Sequence, residues 1–194
     1  MFTFDVETLH NGPRAVILSM GCIHFNGNEK SIDELQQNIF FSKLDASKQS
    51  MRIISESTIT WWKNQSKEAK EYSFNRDKRH DEDPVEAINR FHSWIKQVEP
   101  KFKHGVFWSR GSFDSILYED LCVDFKIEPI IPWNRWRDIR TAVDILVGGK
   151  NGMNGYAGID INVVKNFDES QLIAHQPVDD CLRDTLMLLH PIVN

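Results

Sequence analysis

The chain has 194 residues, of which 41% are hydrophobic and 26% charged, a composition that supports a buried core and excludes fibrous, low-complexity and disordered readings. Its 23 Lys and Arg against 28 Asp and Glu give a net charge of −5, so it lacks the basicity of a protein that grips duplex phosphates by charge alone. Three cysteines without CxxC spacing fit neither a disulfide framework nor a zinc site, and point to a reducing cytoplasm. The N-terminus has no basic signal-like region, and Ala15 to Ile23, the longest mostly apolar stretch, is too short to span a bilayer.

Phe2-Thr3-Phe4-Asp5-Val6-Glu7 alternates with period two, predicting a strand with Asp5 and Glu7 on one face and Phe4 and Val6 on the other. After the turn Asn11-Gly12-Pro13, the β-branched and apolar run Ala15 to Phe25 predicts a long covered strand, ended by Asn26-Gly27-Asn28. Ile39-Phe40-Phe41 reads as a third strand, so the fold should open with an antiparallel meander. The period then changes: Ser57 to Asn64 and Ser66 to Tyr72 read as helices, and Arg76 to Asp83 as a solvated charged loop.

Asp83-Pro84-Val85-Glu86 carries a helix-start signature, followed by Val85, Ile88, Phe91, Ile95 and Val98 as one buried face. Gly105 to Trp108 is a short strand. Ser112 can cap a helix with Phe113, Ile116, Leu117 and Leu121 facing inward and Asp114 in its first turn. Asp138 similarly precedes a helix with Ile139, Val143, Leu146 and Val147. Gly148 to Gly158 holds five of the ten glycines and is the most mobile loop candidate. It contains no phosphate-cradling glycine motif. Pro177 opens a last helix carrying Val178, Leu182, Leu186 and Leu189, with His175 just before it and Asp180 in its first turn. No repeat or linker is visible, so residues 1–194 are read as one domain.

Four acids stand out by position. Asp5 and Glu7 occupy a covered strand, where two like charges side by side are costly unless a cation neutralises them. Asp114 and Asp180 each begin a helix, where an acid either caps the helix dipole or faces a shared site. Such hard oxygen ligands suit Mg²⁺ or Mn²⁺. Asp5-Val6-Glu7-Thr8, Ser112-Phe113-Asp114 and His175-Gln176-Pro177-Val178-Asp179-Asp180 follow in the order and spacing of the DEDDh exonucleases, which the chain resembles along nearly its whole length. Ser57 to Ser66 and Trp136-Arg137-Asp138-Ile139-Arg140-Thr141 are similar to the T-even bacteriophage branch of that family.

The resemblance implies an α/β, RNase H-like fold: a mixed, roughly five-stranded sheet, antiparallel strands first, flanked by helices. It implies 3′→5′ hydrolysis of single-stranded nucleic acid, DNA favoured, with release of nucleoside 5′-monophosphates, using two Mg²⁺ or Mn²⁺ ions. In the matching roles, Asp5 bridges both ions, Glu7 and Asp180 hold the ion on the nucleophile's side, Asp114 supports the other, and His175 takes the proton from the attacking water.

Thr8, Trp61, Trp62, Gln65 and Arg110 are the candidate substrate-binding residues. Of Trp61 and Trp62, adjacent on a helix, one is expected in the core and one near substrate. Gln65 either meets substrate or closes its helix end. Arg110, Arg137 and Arg140 either contact phosphate or are solvated. His10 either lines the cleft or ends a turn. Asp138 reads as a helix cap, Asp179 as a surface or supporting acid, and Cys22, Cys122 and Cys181 as core packing rather than nucleophiles. Two other readings stay open: a family member acting on RNA, and a noncatalytic module that binds nucleic acid. An oligomer is compatible with the sequence, which does not specify one.

Overall fold

A computed structural model describes residues 1–74, 81–100, 105–146 and 161–193. The glycine-rich stretch Gly148 to Gly158 and residues 76–80 of the charged run lie outside them.

The chain opens with β1 (Phe2–Thr8) and β2 (Ile17–His24), followed by β3 (Ile39–Lys43). Both neighbouring pairs are antiparallel, as the expected meander has them. A short helix, α1 (Ile32–Gln36), sits between β2 and β3 where the sequence suggested only a turn. Its five residues bury only Leu35, too little for a 3.6-residue period to show. Two further strands, β4 (Phe107–Ser109) and β5 (Trp136–Asp138), run parallel to β1 and to each other, giving the sheet order β3-β2-β1-β4-β5. At three residues, β5 is too short to alternate visibly.

The alternation in β1 decides what each face of the sheet carries. Phe2, Phe4 and Val6 enter a core with Ile88, Phe91 and Ile95 of α4 (Pro84–Val98) and with Leu117 and Leu121 of α5 (Phe113–Asp124). Burying each such side chain contributes about 1.5–3 kcal/mol, and the rings of Phe2 and Phe107 stack with centroids 4.4 Å apart. On the opposite face Thr3 shares a 2.7 Å hydrogen bond with Thr185 of α7 (Pro177–Val193). There α7 and α6 (Ile139–Leu146) close a second core through Val143, Leu182 and Leu186.

Asp83 caps α4 by accepting from Val85 N, as its sequence signature predicts, whereas Ser112, expected to cap α5, makes no capping hydrogen bond with its side chain. Val85 and Ile116, expected inside, are 38% and 41% exposed. Ala87 and His92 complete the buried face of α4, and Tyr118 that of α5. The Tyr118 hydroxyl accepts from Ile130 N at 3.1 Å and pairs with His92 Nε2 at 2.8 Å. Cys22, Cys122 and Cys181 are buried, and burial pushes their thiols up, Cys122 to about 12.

Two features prepare the site. The parallel strands β1 and β4 pair only at Phe2↔Phe107 and Thr3↔Trp108, then part, opening a crevice at their carboxyl ends. On the other side of β1, Gly21 lies opposite Asp5. A Cβ there would come within 2.5 Å of Pro177 C and 2.7 Å of Val178 N, so the missing side chain lets α7 begin directly over the sheet.

Candidate active site

Asp5 and Glu7 project from β1 on the face that meets α7. The pairing of β1 with β2 shifts register between Glu7 and Thr8, and such irregularities re-aim side chains beside functional sites. Asp114 enters from the first turn of α5 and accepts a hydrogen bond from Val6 N at 3.2 Å, filling the place where β1 has lost β4 as a partner. Asp180 stands in the first turn of α7. Its start is fixed by Gln176, whose side-chain oxygen accepts from Val178 N and Asp179 N.

His175 has a left-handed backbone, φ 65°, a conformation that costs energy in a residue with a Cβ and collects at functional sites. Its N–H donates to Asp180 Oδ2 at 2.9 Å. Its ring meets Trp61 edge-on at a centroid distance of 4.6 Å, with Nδ1 4.0 Å from Glu7 Oε1. Ligand atoms of Glu7, His175 and Asp180 all lie within 4.8 Å of one another. Asp5, Glu7, Asp114, His175 and Asp180, distant in sequence, therefore line one cleft of about 500 Å³, together with Arg110 and Arg140. A second cavity of about 430 Å³ adjoins it through Val6, Glu7, Asn11 and Phe113, and is walled by Thr8, His10, Thr58 and Trp61.

The substrate-side candidates divide. Trp62 is 2% exposed, and its ring N–H donates to Thr8 O at 2.8 Å, so it ties α2 (Glu56–Lys63) to the end of β1. Trp61 is 42% exposed and faces the cavity. Thr8 donates its hydroxyl to His10 O at 2.7 Å, and His10 lines the cavity. Gln65 donates to Trp61 O at 3.1 Å and closes the end of α2, one of its two expected placements. Arg137 donates to the carbonyls of Asn134 and Trp136. Arg110, expected at phosphate, is at the cleft but pairs with Asp180 and with Asp184.

Asp184 is the acid that motif reading missed. Its signal was its place four residues after Asp180, on the same face of a helix. Asp138 is the expected cap: it accepts from Arg140 N, Thr141 Oγ1 and Gly111 N, tying α6 to the turn before Asp114. Asp179 accepts from Ile173 N, supporting the loop before α7.

Burial, and then the charges of Asp114, Asp180 and Glu7, push Asp5 well above the usual carboxylate range. Burial followed by Asp180 and Asp114 does the same to Glu7. Burial raises Asp114 to about 7, against the opposing bond from Val6 N. So many crowded carboxylates are stable as anions only beside cations. Burial would lower Arg110, but the carboxylates of Asp184, Asp5 and Asp180 overcome it and raise the guanidinium. Asp5 Oδ2 is moreover buried and accepts no hydrogen bond. An orphaned carboxylate oxygen among further carboxylates fits a hard divalent cation. Burial lowers His175, with Asp180 opposing, so its imidazole is neutral at neutral pH.

A model of the 3′-5′ exoribonuclease Rv2179c-like domain matches residues 1–182. The exodeoxyribonuclease of Enterobacteria phage T4 is 30% identical over 212 aligned positions, spanning 98% of this chain and 88% of that relative. The crystal structure of the nuclease domain of 3′hExo, a DEDDh family member bound to rAMP, superposes with a TM-score of 0.62 over 97% of this chain and 88% of its own, at 13% identity. That last likeness concerns the fold, a mixed five-stranded sheet flanked by helices of RNase H-like type. With four acids and a histidine converging on one cleft, the chain belongs to the 3′-5′ exoribonuclease Rv2179c-like domain family, and is an exonuclease.

Proposed function

We propose that the protein removes nucleoside 5′-monophosphates one at a time from the 3′ end of a single strand, with DNA as the favoured polymer. The observation that carries this reading is the convergence of Asp5, Glu7, Asp114 and Asp180 beside a half-exposed, neutral His175, next to a cavity with Trp61 in its wall. At about 430 Å³, the cavity is of the size that encloses one small ligand.

Asp5, Glu7, Asp114 and Asp180 would hold two Mg²⁺ or Mn²⁺ ions, and the buried, otherwise unsatisfied Oδ2 of Asp5 would be among the ligand atoms. Bound there, such ions supply an acidified water and stabilise charge on the attacking and leaving oxygens. His175 accepts the proton of the attacking water. Its lowered affinity for protons keeps it in the accepting form, and its position at the mouth of the cleft lets it pass the proton to solvent. Trp61 presents a ring to the terminal base, a contact worth about 1–3 kcal/mol and indifferent to sequence. Thr8 lines the same cavity. Arg140, exposed at the cleft and without an ion-pair partner among the described residues, meets the phosphate.

The deoxyribose preference rests on the T4 exodeoxyribonuclease, similar over nearly all of this chain. A second reading, RNA, is favoured by the family model, which describes an exoribonuclease. Single-stranded deoxyribo- and ribo-oligomers of one sequence, labelled at either end and incubated with Mn²⁺ or Mg²⁺, decide both points. A 3′ label should appear at once as mononucleotide and a 5′ label as a descending ladder, faster on the deoxyribo-oligomer. Faster ribo-oligomer decay would move the assignment to RNA, and binding without decay would make the protein a noncatalytic module. Loss of the base in His175→Ala should cost about 10²–10⁴-fold in kcat. Undiminished activity in Asp5→Ala would sink the mechanism.

A further inference from the structure

Asp184 follows Asp180 by one helical turn on α7 and is 2% exposed. An acid at that depth needs a partner, and it has one in Arg110, from the turn after β4. Arg110 Nε lies 3.1 Å from each Asp184 oxygen, and Nη2 lies 2.9 Å from Oδ1. The same guanidinium reaches Asp180, with Nη1 3.2 Å from Oδ1 and Nη2 3.4 Å from the backbone oxygen. The other Asp180 oxygen, Oδ2, accepts from His175 N. Both carboxylate oxygens of Asp180 are thus set, one by Arg110 and one by the strained His175 backbone.

From this geometry we propose that Arg110 and Asp184 form a positioning pair, in which Asp184 fixes the guanidinium so that it orients Asp180 toward the bound cation without competing for it. Two features of the contacts carry the assignment. The planar fork of Arg110 turns Nε and Nη2 to Asp184 and leaves Nη1 for one Asp180 oxygen. Each Asp180 oxygen that accepts a single hydrogen bond keeps a second lone pair for a cation. Asp184 also offsets the charge of Arg110 beside the cation site, at 2.9 Å. A buried pair of this kind brings little net stability over packed apolar side chains, so its geometric service is the better account of it. Arg110 accordingly acts through Asp180 and does not meet the substrate's phosphate. The inference rests on the proposed cation site, and it adds Asp184 to the residues on which that site depends.

The test is Mn²⁺ binding without substrate, by calorimetry and by the Mn²⁺-induced rise in melting temperature, on wild type, Asp184→Asn and Arg110→Lys. Partners that orient metal ligands are typically worth about 10–100-fold in metal affinity. We therefore expect the Mn²⁺ dissociation constant to rise at least about tenfold in Asp184→Asn. Arg110→Lys, which keeps the charge and loses the fork, should shift in the same direction. KM for a short single strand at saturating Mn²⁺ should stay within about twofold in both variants, as the proposed substrate contacts of Trp61 and Arg140 are untouched. Wild-type Mn²⁺ affinity in Asp184→Asn, or a raised KM in Arg110→Lys with unchanged Mn²⁺ affinity, would overturn the pairing and return Arg110 to phosphate. If Asp184→Asn does not fold, Arg110→Lys decides by the same two readouts. A wild type that binds and hydrolyses while the variants bind Mn²⁺ equally well would overturn this inference alone, whereas a wild type that binds no Mn²⁺ would overturn the cation site with it.

Discussion

Trp61 and Trp62 are neighbours in sequence with separate tasks, because successive helical residues point about 100° apart: one anchors α2 through Thr8 O, and the other walls the cavity. His92 shows how burial sets the chemistry of a single residue. It is enclosed beside Tyr118, and burial, helped by Lys96, lowers its pKa to about 4. An unfolded histidine binds its proton from about pH 6.5 downward, so between that value and about 4 the unfolded chain takes up a proton that the native state refuses. The contribution of His92 is complete above pH 6.5 and is lost as pH falls through this window, by up to about 3 kcal/mol. Urea midpoints at pH 7 and pH 4.5 should therefore fall further apart in wild type than in His92→Phe. Equal pH sensitivity of the two proteins would refute a neutral buried His92. Asp5, Glu7 and Asp114 are legible from sequence because a covered strand and a helix start are unusual places to crowd acids. Asp184 was not, since an acid in the middle of a helix looks like any solvated one until its burial is known.

Between elements, the approach of α7 to β2 governs whether the site exists. Gly21 makes that approach possible, and Cys181 Sγ lies 3.4 Å from Gly21 O, so strand and helix are in contact where Asp5 and Asp180 must meet. In Gly21→Ala the new Cβ would meet backbone atoms at 2.5–2.7 Å, and backbone cannot swing aside as a side chain does. The helix start should shift, costing about 1–3 kcal/mol of stability. A displacement of about 1 Å at Asp180 and His175 should reduce kcat by about 100-fold. Denaturant titration and kcat on one oligomer check this, and full activity with unchanged stability would show that the contact is not limiting. Long periodic elements such as α4 and α7 were readable because each buries a wide apolar stripe. α1 and β5 were not, since five and three residues carry too few positions for a period.

At the scale of the molecule, the charge of −5 acquires a location. Asp5, Glu7, Asp114 and Asp180 account for four of the 28 acids, and without them 24 acids face 23 basic residues, close to balance. The proposed hold on a strand end, through cations, one stacked base and Arg140, makes few phosphate contacts. Since affinity for a single strand falls with a log–log slope of about −0.7 per neutralised phosphate, two contacts predict a loss of about tenfold or less between roughly 50 and 200 mM salt. Fluorescence anisotropy with a labelled single strand measures it, and a loss above about 100-fold would mean a long basic track that the cleft does not show. Among the described residues no helix is long and apolar enough to cross a membrane.

The sequence by itself determined the meander, the two faces of β1, the helix starts at Asp83 and Pro177, and the acids and histidine proposed to carry the chemistry. These are local signals, written in alternation, capping residues and charges placed where apolar residues belong. Only the tertiary structure decided which tryptophan meets the cavity, that Gln65 closes a helix, and that Arg110 pairs with Asp184. Each of those depends on which distant surface packs against the residue, and a one-dimensional pattern does not contain that contact.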